Sequence, residues 1–132
     1  MALERVSKIH PSLCYMFIYL IVYIGALTLR FVRDFFVDHW DPTIEDSYKK
    51  SIEVDCIPSH IQILDTAGQD DFESLRPQWM MDKDGYIFVY AMDRESSLRE
   101  LDPFFELSEQ INETRHIPIM LVANKKDLVV FA

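Results

Sequence analysis

GYIFVYAMDRESSLRELDPFFELSEQINETRHIPIMLVANKKD, residues 85–127, reads as strand, helix, strand. GYIFVYAMD (85–93) and IPIMLVANKKD (117–127) are short apolar runs ending in polar clusters, the pattern of strands buried on both faces of a mostly parallel sheet. Between them, SSLRELDPFFELSEQINETR (96–115) opens on serines suited to a helix N-cap and continues in helix formers. Pro103 falls inside that run, so the helix either begins afresh there or kinks. Such a βαβ unit belongs to an open α/β sheet, where ligands sit at the carboxyl ends of the strands. The polar clusters that close the two strands therefore point to a site.

Upstream, SYKKSIEV (47–54) and HIQILD (60–65) carry β-branched residues with partial alternation, and DCIPS (55–59) supplies turn chemistry between them. They predict an antiparallel hairpin. ALTLRFVRDFF (26–36) places Leu27, Phe31 and Phe35 on one helical stripe and Arg30, Arg33 and Asp34 on the others, which predicts a short amphipathic helix. From Ile9 to Leu29 there is no Asp, Glu, Lys or Arg, and LCYMFIYLIVYIGAL (13–27) is almost continuously apolar. Tyr15, Tyr19 and Tyr23 share a helical face, yet a buried strand tolerates the same composition. Two readings stay open, a core strand or helix and a membrane span over 13–29. Arg5 and Lys8 before the run and Arg30 and Arg33 after it are offset by Glu4 and Asp34, so charge assigns no orientation.

The chain has 132 residues, 49% of them hydrophobic and 27% charged, which is globular composition for one ordinary domain. A net charge of −9 excludes a basic nucleic-acid surface, but a small phosphate site needs only a few local donors and a metal. Cys14 and Cys56 make neither a C-x-x-C motif nor a disulfide framework, so a reducing compartment is expected. Glycine occurs only at 25, 68 and 85, which limits close backbone approach to a ligand.

Three clusters stand at strand or loop ends: DPTIEDSY (41–48), DTAGQDDF (65–72) and NKKD (124–127). Each has a use if a Mg²⁺-bound guanine nucleotide lies across the sheet edge. Thr43 offers a hydroxyl to the metal and an N–H to the terminal phosphate, on a loop that Pro42 stiffens. Asp65 can hold the metal through water, and Gly68 lets a backbone N–H approach the phosphate. Gln69 both donates and accepts, which suits positioning an attacking water. The Asp127 carboxylate can accept from guanine N1–H and its exocyclic amine, Asn124 suits the same ring, and Lys125 can lay its stem along it. Taken singly, D-x-x-G, N-K-x-D and D-P-T are common turns. In this order and at these strand ends, chance explains them poorly.

On these motifs, residues 26–128 resemble the Ras family of small GTPases, and are most like its Ras and Rap members. The resemblance covers about three-quarters of the chain. It implies an α/β fold, an incomplete small-GTPase domain of the P-loop NTPase type, with a mostly parallel sheet, one antiparallel hairpin and flanking helices. It implies GTP and GDP as ligands with Mg²⁺ as cofactor, a GTP/GDP signalling switch, and effector, exchange-factor and GTPase-activating proteins as partners. By resemblance Thr43 and Asp65 hold the metal, and Thr43 and Gly68 sense the terminal phosphate. Gln69 is catalytic, Asn124, Lys125 and Asp127 read guanine, and Phe36 packs on the base edge. Asp41, Ile44, Glu45, Asp46 and Ser47 fall in the effector-contacting segment. Trp40 stands where a tyrosine is usual. Membrane association on the cytoplasmic side, or a cytoplasmic location, is expected, with no nucleic acid.

The pattern breaks before ALTLRF. The family places G-x-x-x-x-G-K-[ST] there; this chain has YLIVYIG (19–25), with Ile24 at the lysine position and Gly25 at the hydroxyl position. The phosphate loop acts through a nest of amides, a lysine and a metal-binding hydroxyl, and one lost donor in such a site costs on the order of 3 kcal/mol. NKKDL is followed only by VVFA, without a C-a-a-X prenylation box. Residues 1–25 are thus expected to be a divergent apolar segment and 26–132 a truncated Ras-like domain. Weak or absent GTPase activity is the first expectation. The alternative is a nucleotide-independent effector-binding decoy or a non-functional isoform or gene-model fragment, anchored in a membrane if residues 13–29 span it.

Overall fold

The computed structural model describes residues 14–20, 25–36, 45–66 and 70–129. In chain order they form β1 (Cys14–Leu20), α1 (Gly25–Arg33), β2 (Glu45–Val54), β3 (Ile57–Thr66), α2 (Arg76–Met80), β4 (Gly85–Ala91), α3 (Ser96–Arg99), α4 (Asp102–Ile111) and β5 (Ile119–Asn124). Short 3₁₀ turns cover Asp70–Leu75 and Lys126–Leu128. The sheet order is β2-β3-β1-β4-β5. β1 runs parallel to β3 and β4, β4 runs parallel to β5, and only β2 is antiparallel to its neighbour β3. This is the α/β architecture expected, a mostly parallel sheet with one antiparallel hairpin and flanking helices.

The ambiguous apolar run contributes the central strand. A strand with neighbours on both edges satisfies its backbone within the sheet and needs no polar face, so its composition matches that of a membrane segment. No helix among the described residues is long and apolar enough to cross a membrane.

Alternation along β4 divides the core. Tyr86 and Phe88 point to one face, where they meet Trp79, Met80, Leu101 and Phe104. Val89 points to the other face and packs with Ile63, half-buried Ile61, Ile87 and Val122, and Val32 of α1. On the first face, Phe88 and Phe105 meet edge to face at 4.8 Å, and the Arg76 guanidinium lies 4.6 Å from the Phe104 ring centre, joining α2 to α4. The Tyr86 hydroxyl donates to the Met80 carbonyl (2.8 Å) and accepts from Asn112 Nδ2 (2.9 Å), so its polar tip is satisfied where it is buried.

The hairpin is longer than predicted, because the turn is only Asp55-Cys56 and Pro58 sits in β3 opposite Glu53. Both turn residues take positive φ (51° and 63°), the two-residue pattern whose twist matches that of the strands. The 96–115 helix begins afresh at Asp102, with Pro103 in its first turn, where a missing N–H costs nothing. Ser97, expected near a helix cap, is buried instead. Its hydroxyl donates to the Arg94 carbonyl (2.6 Å), lies 3.1 Å from the Ala91 carbonyl and accepts from the Ala91 N–H (3.0 Å), fastening α3 to the end of β4.

In α1 the sheet selects a different stripe. Thr28 is buried and Val32 packs on the sheet, while Leu27, Phe31 and Phe35 remain 44%, 42% and 61% exposed. The smaller, β-branched pair at i and i+4 turns inward, with Val32 packed on the Ile63–Val89 cluster, and the bulkier residues stay outside. There the Lys50 ammonium lies 4.4 Å from the Phe31 ring centre and donates to the Phe31 carbonyl. β5, predicted to be buried on both faces, keeps Ile119, Met120 and Leu121 39%, 60% and 48% exposed, because it lies at the end of the sheet order.

Replacing Asp55-Cys56 by Asn-Gly, the pair that best tolerates positive φ, is expected to stabilise the domain by about 1 kcal/mol. Thermal unfolding by circular dichroism reads this, and a lower melting temperature would contradict the turn assignment.

Candidate functional site

Because β1, β3, β4 and β5 are parallel and β2 runs against them, the ends of the four and the beginning of β2 lie along one sheet edge. The order reverses at β1, which has β3 on one side and β4 on the other, so the crevice for a ligand opens beyond its carboxyl end. That edge carries Glu45, Asp46 and Ser47 at the start of β2, Asp65 near the end of β3 and Asn124 at the end of β5. Asp41, Thr43, Ile44, Gly68 and Gln69 lie outside the described residues.

Asp65 is the most constrained member. It stands opposite Asp46 in the hairpin register, so the two carboxylates share a face of the sheet, and Asp65 is 1% exposed. Burial first, and then the Asp46 charge, push its carboxyl from an ordinary 3.8 up to about 7. The Thr28 hydroxyl acts in the opposite direction without reaching hydrogen-bonding geometry. Thr28 Oγ1, Asp65 Oδ2 and Thr66 Oγ1 are buried with no hydrogen-bond partner among the described residues. α1 begins at Gly25, which carries no side-chain hydroxyl, and Thr28 brings the first one a turn later. Among the described residues no group of three or more His, Cys, Asp or Glu is arranged to hold a metal. Asp65 is the described carboxylate that would face such an ion, and its expected hydroxyl partner, Thr43, lies outside the described residues.

The other end of the edge is better organised. The Asn124 carbonyl accepts from the Met92 N–H (2.9 Å), which ties the loop after β4 to β5. Asn124 Oδ1 accepts from the Lys125 N–H (2.8 Å), and Lys125 itself takes a left-handed conformation, φ 61°. Its ammonium is 3.6 Å from the Asp93 carboxylate. Asp127 is exposed in the 3₁₀ turn that follows, and Phe36, just beyond α1, is 62% exposed. Asp93 was not singled out in the sequence, although it closes the AMD end of β4 as NKKD closes β5.

At the start of β2, alternate residues part company. Asp46 faces Asp65 on the α1 side, whereas Glu45 faces α2, where its Oε2 accepts from the Trp79 indole N–H (3.1 Å). Ser47 Oγ accepts from Gln62 Nε2 (3.2 Å) across the hairpin. Trp79 was missed in the sequence, and no local signal marks it, because its partner is 34 residues away.

Fold and edge together define an α/β domain of the small-GTPase type. The Ras family model matches residues 23–130, and the chain belongs to that family. It is 39% identical over 104 residues to Ras-like protein 1 of Saccharomyces cerevisiae, covering 79% of this chain and 34% of the relative. It is 43% identical over 104 residues to Ras-related protein R-Ras of Mus musculus, covering 79% of this chain and 48% of the relative. To the mouse GTP-binding protein Rit2 it is 42% identical over 107 residues, covering 81% of this chain and 49% of the relative. The chain spans between about a third and a half of the length of these relatives.

A raised carboxyl makes stability pH-dependent with a definite sign. The folded state keeps the Asp65 proton where the unfolded chain has released it, so stability is complete below the ordinary carboxylate range and declines as pH rises to about 7. The loss is at most on the order of 4 kcal/mol. In metal-free buffer, Asp65→Asn is expected to abolish this decline, read as melting temperature against pH. A wild-type melting temperature that rises from pH 4 to 7 while Asp65→Asn stays flat would contradict it.

Proposed function

We propose that this chain is a Ras-type guanine-nucleotide element in which the base-reading side is kept and the phosphate-holding side is lost. GTP and GDP then bind weakly, hydrolysis is feeble or nil, and the switch is impaired. The observation that carries this reading is the beginning of α1 at Gly25, preceded by YLIVYI in place of a glycine-rich loop with its lysine. In this reading Asn124, Lys125 and Asp127 contact guanine and Phe36 the base edge. Thr43 and Gly68 are the remaining phosphate contacts. Thr43 and Asp65 are the remaining metal-side groups, and Gln69 is the catalytic position without a held phosphate to act on. The ordered Asn124–Lys125 corner supports the base side, and Ile24-Gly25 in place of a lysine and a hydroxyl supports the loss on the phosphate side.

A second reading is favoured by the exposed start of β2, the terminal strand of the sheet, which pairs only with β3. Asp41, Ile44, Glu45, Asp46 and Ser47 would form an effector-facing segment that needs no nucleotide, so the chain would act as a decoy for effectors of its relatives. Exchange-factor and GTPase-activating partners belong to the first reading alone.

Titration with a fluorescent GDP analogue, with and without Mg²⁺, decides between a working site and a broken one. The expected affinity is weaker than micromolar and nearly indifferent to Mg²⁺, because the lost donors together exceed several factors of ten. Submicromolar, Mg²⁺-dependent binding would overturn the reading.

A further inference from the structure

The start of β2 and the helix α2 are joined across 34 residues of sequence by the Trp79 Nε1–H, which donates to Glu45 Oε2 at 3.1 Å. Trp79 is 3% exposed and held by its neighbours, with the Phe72 ring centre 6.4 Å away and Met80 and Phe104 in the same cluster. Its ring is therefore fixed, and its N–H is a positioned donor. Glu45 is an exposed residue at the first position of a strand, and the strand register points it to this side of the sheet opposite Thr66. Nothing in its exposure requires the carboxylate to be engaged. Lys83 lies on the same side, and the Glu45 charge is among those that favour its ammonium.

We propose that Trp79–Glu45 is a latch. It withholds the Glu45 carboxylate from basic side chains of a partner and makes the placement of α2 and the start of β2 a single event. An arginine or lysine that takes Glu45 Oε2 competes with the indole for it, which loosens α2; a displacement of α2 in turn frees that oxygen. Asp46, one residue on, faces Asp65 on the opposite side of the sheet and is untouched by this device. The alternation of the strand thus separates a gated acid from an ungated one. The consequence for partners rests on reading residues 45–47 as a partner-facing segment; the latch itself needs neither nucleotide nor partner.

The test is carbodiimide–glycinamide labelling of carboxylates, read residue by residue by mass spectrometry, combined with amide hydrogen exchange. A hydrogen bond to a charged group of this kind is worth roughly tenfold. In the wild-type chain Glu45 should label roughly tenfold more slowly than exposed Glu53. Trp79→Phe, which keeps a ring and loses the donor, should bring Glu45 to the Glu53 rate and leave Asp46 unchanged. Glu45→Ala, a surface change safe for folding, should speed exchange at the α2 amides by roughly tenfold while β4 and α4 stay protected. Glu45→Gln, which retains an acceptor oxygen, should do so less. The double variant should exchange no faster at α2 than the faster of the two single variants. Equal labelling of Glu45 and Glu53 in the wild type, or additive effects of the two substitutions, would overturn the latch. A failed nucleotide titration would leave these measurements unaffected, so the two proposals fail separately.

Discussion

The insertion of β1 between β3 and β4 is the constraint on which the remaining structure depends. Parallel pairing on both edges sets Met16 against Gly85 and Ile63, and from that register follow the positions of both neighbouring strand ends. Were β1 absent, the β2-β3 hairpin and the β4-α4-β5 unit would be separate pieces. Two strands alone are marginal in water, and only a continuous sheet buries Ile63 and Val89 together. The polar ends of β3 and β5 share an edge because β1 holds the two halves in one sheet. Its apolar composition, unsuited to gripping phosphate, is what a central strand requires.

Side-chain alternation then distributes the chemistry. On the α1 side the hairpin sets Asp46 against a buried Asp65, an arrangement that favours a proton over a second negative charge. On the α2 side it sets Glu45 against a fixed indole donor. Two acids adjacent in sequence thus meet unlike environments, one electrostatically crowded and one engaged in a hydrogen bond. At the far end, the left-handed Lys125 and the Asn124 side chain organise a tight corner without drawing on either acid. The Asn124–Lys125 corner is held by Met92 and Asp93, just beyond β4.

Much of this was legible in the sequence, for identifiable reasons. The βαβ unit announces itself because apolar runs ending in polar clusters have few other uses, and Pro103 marks the helix start through its missing N–H. The apolar run at 13–29 could not be resolved locally, since a strand paired on both edges and a membrane segment ask for the same residues. Pro58 was read as part of a turn because it cannot donate in a ladder, yet near a strand start that loss is tolerated. For α1, the sheet rather than the helix decides which apolar stripe is buried, so Thr28 and Val32 displaced the more hydrophobic Leu27, Phe31 and Phe35. Of the candidate site residues, Asp65 and Asn124 sit at strand ends as their motifs imply. The burial that raises Asp65 and the Trp79 contact to Glu45 are non-local and leave no trace in any window of sequence.

The central claim is that guanine can still be read where phosphate can no longer be held, and the most direct measurement compares guanosine with GDP by ligand-observed NMR in the presence of Mg²⁺. With the phosphate side lost, removing both phosphates should change the dissociation constant by less than about tenfold, or 1.4 kcal/mol. A loss of a thousandfold or more on going from GDP to guanosine would show that the phosphates are gripped, and would contradict the account.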